Sequence, residues 1–295
     1  MTLKGLFTPI VTPFDASGAL NLTAVDAIVE AQLEAGASGL IACGTTGEYY
    51  TLDESERQAL IERVVRQVNG RVSVLAGINA LNTREGELRA RQARDLGCDG
   101  LMMSPPAYSL PEQHEILAHF KAVAAATALP LVLYDFPVRA GVQIEVDTVL
   151  ALSEVDNIVG IKESSGDFSR LLALRDQCPS DFQLICGCDD QAADHLWWGA
   201  RAWISGSANV FPAEQAAMLA AAERQDFESV RAGMAAMMPI IRDMEGGGYN
   251  QKAKLGTRVR LGIEAGDVRQ PLLPLSRREV EEFQSLIAGF DKSTS

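Results

Sequence analysis

Lys162 interrupts the run Ile-Val-Gly-Ile-Lys-Glu-Ser that starts at Ile158, in a stretch otherwise apolar enough to be a buried strand. An ammonium in such a place must be paired or must release its proton readily, because burial disfavours the charged form. The free amine is a nucleophile suited to condensing with a ketone. The competing reading is a plain ion pair, to Glu163 or to another carboxylate. A second candidate is the segment GTTGE at 44–48. Thr45 and Thr46, flanked by glycines, offer two hydroxyls and backbone N–H groups to a small carboxylate, although the same composition suits a turn before a helix. Tyr134 closes the apolar run PLVLYDF, where a tyrosine is ordinarily core; Arg139, five residues on, is ordinarily a surface charge. His114, His119 and His195 lack metal-ligand spacing. Cys186 and Cys188 stand near Asp189, Asp190 and His195, but a helix cap explains either aspartate better than a metal does. No GxSxG, HExxH or Walker pattern occurs.

Positioning these groups needs a scaffold, and the chain supplies a repetitive one. Apolar runs begin at Gly5, Gly39, Val72, Gly100, Pro130, Ile158, Phe182 and Ala202. They lack in/out alternation, as strands of a covered parallel sheet do. Between them lie helical stripes, such as Val25, Ile28, Val29 and Leu33, or Leu60, Ile61, Val64, Val65 and Val68. Thr23 with Asp26 and Asp53 with Glu56 read as capping boxes, Pro111 as a first-turn residue and Gly36 as a left-handed terminator. Eight such units predict an α/β chain folded as a (β/α)8 TIM barrel, with a doubly wound sheet as the alternative. The strand signal stops after Val210. Helical stretches at roughly 213–244, 251–264 and 277–287 exceed what an eighth barrel helix needs. The expected division is therefore a barrel over 1–224 and a C-terminal helical extension over 225–295, packed on the barrel. EGGGYN at 245–250 reads as a hinge or tight turn.

Composition narrows the function. The 295 residues carry 26 Lys and Arg against 39 Asp and Glu, a net charge of −13, which repels phosphate backbones and argues against a nucleic-acid partner. Five cysteines in a chain this long do not make a disulfide framework, so a reducing, cytoplasmic setting is expected. The first residues hold no apolar signal core. The stretch 122–134 is too short and too interrupted to cross a bilayer, so no membrane partner is expected.

Taken in order, GTTGE at 44–48, PPAYSLP at 105–111, YDFPVRAG at 134–141, GIKESSGD at 160–167 and ISGSANVFP from Ile204 resemble the dihydrodipicolinate synthase and N-acetylneuraminate lyase superfamily. The resemblance spans nearly the whole chain and implies a (β/α)8 barrel with extra helices. It implies that Lys162 is the Schiff-base lysine and that Tyr134 shuttles protons during imine formation. Thr45 would link Tyr134 to Tyr108, which family members insert into a neighbouring subunit's site, so the protein would be a dimer at least and a tetramer by family habit. Thr45 and Thr46 would hold the carboxylate of pyruvate or a longer 2-oxo acid. Ile204 would present a carbonyl to the site, and Arg139 would receive the carboxylate of a second substrate. No metal or organic cofactor is implied.

Within the superfamily the best match of parts is to condensation of pyruvate with aspartate semialdehyde. The chain departs from the synthase pattern at Tyr49, Ala107 and Asp135, and at Glu54 and Arg57, where many bacterial synthases carry the histidines of a lysine-inhibition site. Those departures keep open an aldolase, dehydratase or deaminase acting on a hydroxylated 2-oxo acid. A barrel that merely binds a small acid is the remaining alternative.

Overall fold

A computed structural model describes residues 1–294. Its strands are β1 (Gly5–Pro9), β2 (Gly39–Ala42), β3 (Ser73–Gly77), β4 (Gly100–Met103), β5 (Leu131–Asp135), β6 (Ile158–Glu163), β7 (Gln183–Cys186) and β8 (Ala202–Ile204). Each pairs in parallel with the next, and β8 returns to β1, so the sheet closes and the doubly wound alternative is excluded. Both faces of the strands are mostly apolar, for different reasons. Leu40 and Ala42 of β2 face the surrounding helices, whereas Ile41 joins Phe7, Leu75, Met102, Val132 and Ile185 in a separate cluster that fills the barrel. That double burial is why the strand runs show no alternation.

The helices are α1 (Leu22–Glu34), α2 (Glu54–Val68), α3 (Thr83–Asp95), α4 (Gln113–Ala125), α5 (Pro137–Ala140), α6 (Val146–Ser153), α7 (Phe168–Gln177), α8 (Ala192–Trp197), α9 (Pro212–Glu223), α10 (Phe227–Glu245), α11 (Tyr249–Leu261) and α12 (Arg277–Thr294). Asp53 and Glu56 form the expected capping box on α2, and Gly36 lies at φ +95° just past α1. Two expected starts are corrected. The cap of α1 is Asn21, whose side chain accepts from Ala24 N, so Thr23 sits inside the helix; an Asn is the stronger cap and the helix begins where it stands. Pro111 precedes the α4 cap, Glu112, which makes its own box with Glu115.

The helical stretch expected over 213–244 is two helices. Gln225, at φ +60°, turns the chain between α9 and α10, and Asp226 caps α10 through Ser229 N. Met237, Ile240, Ile241 and Met244 of α10 lie in the same apolar cluster as the outer strand faces. Among the described residues no helix is long and apolar enough to cross a membrane, and all five cysteines are free.

Candidate active site

Tyr134 and Lys162 are register partners across β5 and β6, and Lys162 also lies level with Ile185 of β7. Tyr134 and Ile185 belong to the cluster inside the barrel. Laterally paired residues of a sheet share a face, so Lys162 points inward too. Its Nζ stands 4.1 Å from the centre of the Tyr134 ring, and the side chain is 5% exposed. Among the described residues Lys162 forms no ion pair. The Glu163 carboxylate is taken instead by Arg170 Nε at 2.9 Å and by Ser165 N at 2.7 Å, which overturns the ion-pair reading of Lys162. Space for the lysine comes from Gly187, just past β7: a Cβ there would stand 2.8 Å from Lys162 Cγ.

The loop after β2 brings Thr45 and Thr46 to the same rim. It is fixed by its own turn, in which Glu48 N donates to Thr45 O, and by Thr12 Oγ1, which donates to Gly47 O at 2.6 Å. Glu48, fully buried in the left-handed region at φ +52°, anchors the loop through Lys254 Nζ at 2.8 Å and Arg269 N at 2.9 Å. Thr46 is buried. Its hydroxyl faces Gly206, since a Cβ on that glycine would lie 2.8 Å from Thr46 Oγ1. Ile204 ends β8 on the inner wall. Among the described residues no hydrogen bond joins the Thr45 hydroxyl to Tyr134.

Arg139 lies exposed on α5. Burial first, and then the charge of Glu48, push the Tyr50 phenol up, and the Arg139 charge opposes them. Tyr108 is not gathered in by its own chain. It sits at φ +71° in the loop before α4 and is 94% exposed, with Leu110 also exposed nearby.

Several further groups around the site have surroundings that the sequence does not reveal. Asp135 and Glu163, at the ends of β5 and β6, share the buried Arg170 guanidinium at 3.3 and 2.9 Å. Burial first, and then the charge of Glu163, push the Asp135 carboxyl up to about 6. Burial pushes the phenol of Tyr49, from the short turn after GTTGE, up, and the Asn79 side chain opposes that push. Asp189 does not cap the next helix, contrary to the sequence reading. Its carboxylate accepts from Trp203 Nε1 at 2.9 Å, Ser207 N at 3.0 Å and Tyr249 Oη at 2.8 Å. With three donors it is committed to holding β8 and α11 together. Desolvation lowers His195 to about 4, so it is neutral at pH 7. Among the described residues no cluster of three or more His, Cys, Asp or Glu could hold a metal ion.

A cleft of about 1080 Å³ opens elsewhere, lined by Thr2, Ile158, Gln183 and Ala202. Ile158, Gln183 and Ala202 begin their strands, so this cleft is at the amino-terminal end of the barrel. Chemistry in such barrels belongs to the opposite rim, where Lys162 is.

The chain and its fold match proteins of known kind. The Dihydrodipicolinate synthetase family model matches residues 2–289. A 4-hydroxy-tetrahydrodipicolinate synthase 2 of Halalkalibacterium halodurans is 36% identical over 97% of this chain and 98% of its own. Among solved structures, a dihydrodipicolinate synthase from Bacillus anthracis superposes with a TM-score of 0.94 at 32% identity, covering 98% of each chain. A chloride-inhibited dihydrodipicolinate synthase from Acinetobacter baumannii complexed with pyruvate gives 0.94 at 31%, covering 98% of this chain and 99% of its own. The chain belongs to the dihydrodipicolinate synthetase family.

Proposed function

We propose that this protein condenses pyruvate with aspartate semialdehyde, as a 4-hydroxy-tetrahydrodipicolinate synthase, through an imine on Lys162. The observation that carries the reading is a buried amine without an ion pair among the described residues, 4.1 Å from the Tyr134 ring centre at the carboxyl end of β6. The neutral amine attacks the ketone carbon, and the ketone oxygen leaves as water after Tyr134 relays the protons. The iminium withdraws electrons, so the methyl carbon loses a proton and becomes an enamine. That carbon bonds to the aldehyde of the second substrate, whose oxygen takes up a proton. The second substrate's own amine then displaces Lys162 and closes the ring. Thr45 and Thr46 hold the 2-oxo acid carboxylate against the end of β8 at Ile204, and Arg139 takes the carboxylate of the semialdehyde.

Tyr108 completes the relay from a neighbouring chain, so the working unit is a dimer or a tetramer built of dimers. The near-complete exposure of Tyr108 supports this, since a phenol in a strained left-handed backbone with 94% of its surface free is placed to reach outward.

The test is borohydride trapping. Pyruvate and borohydride are expected to leave a stable adduct on Lys162, located by mass spectrometry, and the Lys162→Ala variant is expected to carry none. An adduct on another lysine, or none, refutes the imine. Condensation of aspartate semialdehyde is then measured against a panel of hydroxylated 2-oxo acids. Turnover of a panel member without condensation would assign the protein to the aldolases, dehydratases or deaminases instead, a reading favoured by Tyr49, Ala107 and Asp135.

A further inference from the structure

The glycine-rich segment EGGGYN at 245–250 is the one sequence motif the chemistry above leaves unused. In the fold it is the lead into α11, with Gly248 at φ +65° as the last residue before the helix. Left-handed backbone of this kind is open to glycine at no steric penalty, and it sets the first two side chains of α11 over the mouth of the barrel. Asn250 is buried, and its Nδ2 donates to Thr45 O at 3.2 Å and to Tyr50 Oη at 3.1 Å. Tyr249 donates its hydroxyl to Asp189 Oδ2 at 2.8 Å. A Cβ built on Gly206 would lie 2.6 Å from Tyr249 Oη and 2.8 Å from Thr46 Oγ1. The two hydroxyls therefore converge over a single Cα at the end of β8.

We propose that Tyr249 and Asn250 are positioning residues for the 2-oxo acid carboxylate pocket, clamping the Thr45–Thr46 turn against the β8 end from above. Tyr249 is not itself an anion ligand, because its one proton is already given to a carboxylate. Its part is to hold Asp189, and through it Trp203 and Ser207, so that Gly206 stays opposite Thr46. Asn250 does the same for the other half of the pocket by tying down the Thr45 carbonyl. A hydrogen bond to a charged acceptor is stronger than one between neutral groups, so the Tyr249–Asp189 contact is the stiffer of the two ties. Lys254, one helical turn further along α11, is bonded to Glu48 in the same turn, so helix and pocket are joined at three points.

The inference rests on the imine reading, and its test separates the two. The pyruvate concentration giving half-maximal borohydride trapping on Lys162 is measured for the full chain, for Tyr249→Phe, for Asn250→Ala and for Lys252→Met. Lys252 anchors the same helix to Asp243 through both its carbonyl and its carboxylate and, among the described residues, makes no hydrogen bond or ion pair to the pocket. It therefore reports what loosening α11 does by itself.

Tyr249→Phe and Asn250→Ala are expected to raise half-saturation about tenfold while the maximal extent of trapping is unchanged, the equivalent of one hydrogen bond's net worth. Lys252→Met is expected to melt earlier without that shift. If the first two variants move half-saturation no more than Lys252→Met does, the clamp is wrong although the imine stands. If the unaltered chain does not trap pyruvate, the imine reading fails and the clamp with it. Should Tyr249→Phe not fold, Asn250→Ala decides.

Discussion

Asp135 gives the sharpest quantitative test of the electrostatics behind the site. Its side chain is fully buried, with Oδ1 accepting from Ile144 N at 2.9 Å. Oδ2 relies on Arg170 Nε at 3.3 Å, a guanidinium that Glu163 holds more closely, and the Gln143 side chain eases the carboxyl only in part. Two carboxylates thus compete for one cation, and burial together with Glu163 lifts Asp135 from 3.8 to about 6. The folded chain consequently keeps this proton up to about pH 6, while the unfolded chain has released it near pH 4. Between those limits the native state binds more protons, so stability falls as pH rises, by about 1.4 kcal/mol per pH unit and about 3 kcal/mol in all.

Asp135→Asn cannot titrate and lacks this slope. The difference in unfolding free energy, variant minus parent, is therefore expected to grow by about 3 kcal/mol between roughly pH 4 and pH 7.5, whatever constant offset the amide introduces. Urea melts of both chains across that range, at one fixed protein concentration because subunit association adds to apparent stability, measure it directly. A difference that stays flat with pH, or that shrinks as pH rises, would show that Asp135 is not protonated by burial. A flat difference would mean that Arg170 overrides burial and holds Asp135 ionised across the range.

Glu48 and Lys254 are 0% and 4% exposed and pair at 2.8 Å. Breaking a buried pair strands a charge, so Glu48→Gln is expected to destabilise by about 3–5 kcal/mol. Adding Lys254→Met to it should recover most of that loss, as read by urea melts; a loss below about 1 kcal/mol for the single variant would contradict the pairing. Tyr108→Phe is expected to lower turnover about a hundredfold, as loss of a proton relay does, while half-saturation for pyruvate trapping stays within about twofold. Equal losses in both would remove Tyr108 from the relay.

The barrel was legible because its signal is redundant. Eight apolar runs with helical stripes between them over-determine an alternating α/β chain, and only the closure of the sheet needed coordinates. Boundaries were legible where a single residue decides them, as with Gly36 and the Asp53–Glu56 box. They were misread where two polar residues compete, as Asn21 and Thr23 do for the start of α1. The break at Gln225 was hidden because a left-handed turn in a non-glycine residue carries no signal of its own, although Asp226 after it is a residue type that starts helices.

The site divides along the same line. Lys162 stood out because a charge inside an apolar strand violates a local rule, and Thr45 and Thr46 because glycines frame them. What escaped the sequence were residues whose role depends on distance along the chain. Asp189 and Tyr249 are 60 residues apart, and Asn250 is 205 residues from the carbonyl it holds. Read locally, an Asp before a helix is a cap and a Gly-Gly-Gly-Tyr-Asn stretch is a hinge. Only closure of the barrel places the β7 and β8 ends beside the β2 loop, and only then does a helix lying beyond the last strand find both ends of the pocket within reach. The added helices thus act where the barrel cannot act alone, since its loops supply the pocket's floor and walls and leave its upper edge to α11.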